Sequence, residues 1–170
     1  ALRTGGQYSR AQFVGFARQV GRERAPTLFV AMHEHAAENP RPARLLIVDA
    51  RDGRVLRERA VPTSFGMPRL LSDAPPRFVV GDAEGNLAIY DDSLRTLCSR
   101  RGSVAIEAWA CDDLDGDGEN EVVASTEREG LVLDDRLRVR GRFPLHGTPR
   151  SPVQILSRRT GVSERALVSV

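Results

Sequence analysis

An all-β fold is predicted by three observations. Apolar residues come in short runs of four or five, turn signals separate the runs, and two sequence markers recur about every 43 residues. The runs are Thr27-Leu-Phe-Val-Ala-Met32, Arg44-Leu-Leu-Ile-Val-Asp49, Arg77-Phe-Val-Val-Gly81, Asn86-Leu-Ala-Ile-Tyr90, Glu121-Val-Val-Ala-Ser125 and Gly130-Leu-Val-Leu-Asp134. Short runs of this kind with turn signals between them make an all-β pattern.

The first marker is a pair of apolar residues followed by a small one: Phe29-Val30-Ala31, Val79-Val80-Gly81, Val122-Val123-Ala124 and Leu167-Val168-Ser169. Its small residues stand 50, 43 and 45 apart. The second marker, an apolar run ending in aspartate, falls at Asp49, Asp91 and Asp134, spaced 42 and 43. An eight-residue insertion explains the longer first repeat. A repeat of this length holding three or four short strands is the signature of a β-propeller blade. The expected fold is therefore a β-propeller segment of about 3.5 four-stranded blades, at residues 11–62, 63–101, 102–147 and 148–170, forming one domain over 1–170.

Each blade is expected to run through strands A, B, C and D. In the third, A is expected over 104–111, B over 121–125, C over 130–134 and D over 137–143. In the second the same strands are expected over 68–71, 77–81, 86–90 and 94–99. The first blade supplies A at 13–18, and the last only 152–156 and 166–170. Three and a half blades cannot close a ring and would leave sheet edges and apolar faces bare. Further blades are therefore expected from a longer parent chain or a partner. A sandwich, the rival all-β architecture, predicts no fixed period.

Composition narrows the function. The chain has 170 residues, 41% apolar and 28% charged, which suits a globular domain and excludes disorder or a coiled coil. No apolar stretch approaches the length of a membrane-spanning helix. Twenty-five basic residues, all Arg, against 23 acidic ones give a net charge of +2. The Arg-only usage fits the composition of a GC-rich bacterial genome, and without a long basic run no nucleic-acid partner is expected. The opening Ala1-Leu-Arg-Thr-Gly-Gly lacks a signal-peptide apolar core, so the chain reads as a mature or excised piece. Cys98 and Cys111 are either bridged or two small buried apolar residues.

One segment carries chemistry. Between strands A and B of the third blade lies Asp113-Leu-Asp-Gly-Asp-Gly-Glu-Asn-Glu121. Alternate carboxylates at Asp113, Asp115 and Asp117, a turn at Gly118, and then Glu121 form an oxygen cage for a hard cation, with Ca2+ its natural occupant. The carbonyl of residue seven, Glu119, completes the set. An EF-hand would place its bidentate Glu at position twelve, which here is Ala124, so the last ligand falls at position nine. The loops 21–25, 72–76 and 158–165 lack such a cage, and one structural metal site is expected.

This Asp-x-Asp-x-Asp-Gly-x-x-acid loop followed by Val-Val-Ala resembles the calcium loop of FG-GAP repeats in integrin-α-type β-propellers, the VCBS-like blades among them. The Phe65-Gly66 pair before the second blade echoes the motif that names the family. The resemblance implies Asp113, Asp115, Asp117 and Glu121 as side-chain ligands and Glu119 as a backbone ligand. Family members often have Asp where this chain has Glu121.

Other candidates are weaker. His33 and His35 share one face of a strand end but have no evident third ligand. The insertion 33–41 is a candidate contact loop. Asp52-Gly53 and Glu84-Gly85-Asn86 are hairpin signals, and Trp109 reads as core. With no nucleophile motif, phosphate loop or acid–base pair, the expected function is a non-catalytic, calcium-stabilised module. It would bind a protein partner, or act as a scaffolding subunit of a larger complex, in the periplasm or cell exterior. The alternative is a sensor or accessory propeller of a larger enzyme or receptor, such as a membrane kinase or quinoprotein-like dehydrogenase. A carbohydrate-binding module would carry more aromatic residues than 5%.

Overall fold

The computed structural model describes residues 9–17, 27–34, 43–61, 68–82, 84–102, 106–126, 128–145, 154–156 and 166–168. They form an all-β structure of consecutive antiparallel hairpins. Sheet 1 contains β1 (Ser9–Ala17), β2 (Thr27–Glu34), β3 (Ala43–Asp49) and β4 (Val55–Val61). Sheet 2 contains β5 (Arg69–Asp73), β6 (Pro76–Gly81), β7 (Leu87–Asp91) and β8 (Thr96–Arg100). Sheet 3 contains β9 (Glu107–Asp112), β10 (Glu121–Ser125), β11 (Glu129–Leu133) and β12 (Val139–Pro144). A two-stranded sheet of β13 (Gln154–Leu156) and β14 (Ala166–Val168) follows. Among the described residues no helix is long and apolar enough to cross a membrane.

Burial explains the sequence pattern. The middle strands are covered on both faces: Phe29, Val30 and Ala31 of β2 and Val122, Val123 and Ala124 of β10 are all 0% exposed. They read as unbroken apolar runs for that reason. The last strand of each four-stranded sheet has an open edge and carries charge. β4 is exposed over most of its length, and β12 alternates between half-buried and exposed residues.

The sheets stack face to face. Phe29, Leu45 and Ile47 of sheet 1 share a core with Phe78, Val80 and Tyr90 of sheet 2. The Phe29 and Phe78 rings stack at 4.2 Å between centroids and 22° between planes. Leu71, Val79 and Ile89 pack in the same way against Val122, Leu131 and Leu133 of sheet 3. The first strands touch in succession, β1 with β5, β5 with β9 and β9 with β13. At the outer end of the first interface Arg59 of β4 donates to the Leu94 carbonyl at 2.6 Å and lies 5.3 Å from the Tyr90 ring centroid.

A common turn joins the third and fourth strands. Asp91 N donates to Arg95 O, and the Asp91 Oδ1 accepts from Ser93 N and Arg95 N. Asp134 repeats this with Arg136 N and Arg138 N. Asp49 closes a turn one residue longer, ending at Arg54. Each aspartate also holds a guanidinium, Arg51, Arg95 or Arg138. Two to three residues past the turn every fourth strand has a one-residue bulge, at Leu56, Leu97 and Arg140. All three bulged residues are exposed, and a bulge there twists the open edge away from pairing.

The structure corrects the alignment of the small-residue marker. Val30 pairs with Leu46, Val80 with Ala88 and Ala124 with Leu131, and each partner lies three residues before its turn aspartate. Ala124 is therefore equivalent to Val80, not to Gly81. The shorter connection between β10 and β11 shifts the register, and a shift of one residue reverses the face. β10 occupies the expected residues, whereas β4 had no assigned counterpart and β9 begins at Glu107. Cys98 and Cys111 are free thiols packed against the core between sheets 2 and 3. Burial raises the pKa of both, that of Cys111 to about 12, as suits inert packing residues. The expected hairpins at Gly53 and Gly85 form with φ of 72° and 88°. Phe65, Gly66, His35 and most of the 33–41 insertion lie outside the described residues, as do the side chains of His33 and Trp109.

Candidate metal centre

The acidic loop joins β9 to β10, where Asp112 pairs with Glu121 as the strands separate. It lies on the same edge of sheet 3 as the Asp134 turn, because antiparallel pairing sets the end of β11 beside the start of β10. Gly116 and Gly118 have φ of 85° and 93°, and nothing stands within 4 Å of where their Cβ atoms would lie. Backbone conformation, not crowding, calls for glycine at both positions.

These reversals gather the carboxylates. One oxygen each from Asp113, Asp115 and Asp117 lies within 4.8 Å of the others, the single such group of metal-ligating side chains among the described residues. Short backbone bonds orient them. Asp113 accepts from Gly116 N at 2.6 Å and from Gly118 N at 3.2 Å, Asp115 from Asp117 N at 3.1 Å, and Asp117 from Glu119 N at 2.8 Å. A carboxylate has about four acceptor sites, so each retains capacity for a cation. Among the described residues no arginine forms an ion pair with the three, although each turn aspartate in this Arg-rich chain has one.

Glu121 lies at the base of the loop, 8% exposed, outside the three-carboxylate group. Its Oε2 accepts from Leu114 N at 2.9 Å. Burial raises its pKa, the Leu114 N–H opposes the shift, and the charges of Asp115, Asp117 and Asp113 reinforce it. Glu119 is exposed, and its N–H is engaged by Asp117. Carboxylate oxygens that converge without a counter-charge suit a hard cation taking several oxygens at about 2.3–2.6 Å. Asp113, Asp115 and Asp117 could therefore hold a metal ion between them.

Two residues that sequence reasoning passed over support the loop. Asp112 Oδ1 accepts from Asp113 N at 3.0 Å. Asn120 donates through Nδ2 to the Leu71 carbonyl of β5 at 2.7 Å, tying the loop to sheet 2. Farther out, Arg77 of β6 pairs with Asp135 in the turn of sheet 3 at 3.1 Å. No sequence signal marks Asn120, because its partner is a backbone carbonyl 49 residues away. Compared with known proteins, the chain matches no protein-family model and no curated sequence.

Proposed function

We propose that this chain is a segment of an FG-GAP, integrin-α-like β-propeller. In this reading its third sheet binds one structural Ca2+ through the side chains of Asp113, Asp115, Asp117 and Glu121 and the carbonyl of Glu119. It acts as a non-catalytic protein-binding or scaffolding module in an extracytoplasmic assembly, either periplasmic or extracellular. Stacked four-stranded sheets with adjacent first strands support the propeller geometry. The observation that carries the site is the convergence of three carboxylate oxygens within 4.8 Å with, among the described residues, no arginine paired to them.

The ion's role follows from the loop's position. Neutralising mutually repelling carboxylates stiffens the loop, and Asn120 passes that constraint to β5. Sheets 2 and 3 are thereby held in register, and the edge that carries the acidic loop and the turns at Asp49, Asp91 and Asp134 becomes a firm platform. Loops held by a rigid scaffold are suited to recognise a partner. Calcium titration by calorimetry tests the reading. One site is expected, with Kd of about 10⁻⁴ to 10⁻³ M as in extracellular modules, and absence of saturable heat would overturn it.

A further inference from the structure

A cavity of about 180 Å³ opens between sheets 1 and 2, toward the edge opposite the acidic loop. Its apolar wall includes Val61, Val80 and Ala88, and Arg100 and Arg101 line it as well. Comparison of the repeats explains the space. Three residues before the turn aspartate, sheets 1 and 3 place Leu46 and Leu131, which are 2% and 4% exposed, whereas sheet 2 has Ala88. Shortening a core leucine to alanine leaves unfilled volume. Arg101 is equally particular to sheet 2: by strand pairing, sheets 1 and 3 have Ala60 and Pro144 at its place, whereas Arg100 has a counterpart in Arg59 of sheet 1.

Neither Arg100 nor Arg101 forms an ion pair among the described residues, whereas Arg44, Arg77 and Arg142 all meet carboxylates. Asp82, also on the wall, is engaged by its own turn, accepting from Glu84 N, Asn86 N and Asn86 Nδ2. The site thus combines an apolar recess with two arginines that have no ion pair among the described residues. An apolar cavity of about 150 Å³ is enough for benzene, and guanidinium groups match a carboxylate in geometry and charge.

We propose that this cavity binds a small organic monocarboxylate with an apolar body the size of one ring, seated against Ala88 with its carboxylate at Arg100 and Arg101. The test is an NMR titration of the full chain with sodium benzoate, using benzyl alcohol as the neutral control. Expected are saturable amide shifts at Ala88, Ser99 and Arg101, with benzyl alcohol at least about tenfold weaker. R101Q, at an exposed position, should weaken benzoate by about tenfold and leave benzyl alcohol unchanged. A88L should abolish both, and A88V serves if the leucine variant does not fold. Equal binding of the two probes, unchanged benzoate binding in the Ala88 variant, or no saturable shift up to about 10 mM would overturn the proposal.

Discussion

Leu94 and Leu137 hold the same left-handed backbone conformation, with φ of 60° and 61°, and each buries its side chain against the preceding sheet. Left-handed backbone costs a non-glycine residue about 1–2 kcal/mol, whereas burying a leucine returns about 1.5–3 kcal/mol. Burial wins, and the strain remains. L94A is expected to lose about 2–5 kcal/mol. L94G loses the same side chain but relieves the strain, so it should be no less stable than L94A despite glycine's usual entropic disadvantage. Urea unfolding midpoints decide this, and a clearly less stable glycine variant would contradict it.

The turn aspartates make stability depend on acid pH. The Arg51 side chain, followed by its backbone N–H, holds the Asp49 pKa at about 2. At Asp91 and Asp134 burial alone would raise the pKa, but hydrogen bonds from Arg95 and Arg138 outweigh it and the net shift is downward. A folded pKa below the unfolded value gives stability that is present above the ordinary carboxylate range and lost as pH falls through the lowered value. D91N keeps an oxygen acceptor but loses the charge. It should be less stable than the parent at pH 7, with the gap closing as pH falls from about 4 toward 2. A gap independent of pH in thermal unfolding would contradict this.

Two glycines on outer segments should respond in opposite ways to alanine. A Cβ at Gly102 would overlap the Gly85 carbonyl oxygen, a backbone atom within a closed turn, whereas at Gly141 the nearest atom is the Val132 Cβ at 3.9 Å. G102A should cost about 1–3 kcal/mol and G141A should stay within about 0.5 kcal/mol of the parent. Chemical denaturation of both variants checks the contrast, and equal effects would show that Gly102 has room to relax.

Much of the fold was legible because burial writes itself into the sequence. Middle strands covered on both faces appear as apolar runs, and the turn aspartates at Asp49, Asp91 and Asp134 recur because each caps backbone N–H groups of its turn, one at Asp49 and two at Asp91 and Asp134, and holds an arginine. β4 was harder to see because its Val-Leu-Arg-Glu-Arg-Ala-Val sequence is mostly exposed and carries no apolar run. The small-residue marker misaligned Ala124 because a change in turn length moves residues between faces, and pairing, which sequence does not show, decides the face. The acidic loop was legible as a motif, since its glycines and alternating aspartates each answer a local demand. Its tie to sheet 2 through Asn120 was not, because a long-range bond to a backbone carbonyl selects no partner residue type.

That tie gives a separable prediction. N120A removes the bond to Leu71 O, part-buried between sheets, at a cost of about 0.5–1.5 kcal/mol. Because Asn120 supplies no side-chain ligand in the proposed set, the calcium response should persist on a lowered baseline. Loss of that response in N120A would move the residue into the ion's coordination shell.

The central claim is that the loop from Asp113 to Glu121 is a calcium site that stabilises the sheet stack. Thermal unfolding of the parent chain and of the double variant D115A/D117A, each with excess calcium and with chelator, tests it most directly. The parent should melt at higher temperature with calcium than with chelator, because an ion that binds only the folded state stabilises it. The double variant should show no calcium response. An equal response in parent and variant would place the ion elsewhere, and no response in the parent would leave the carboxylate cluster without the role assigned to it.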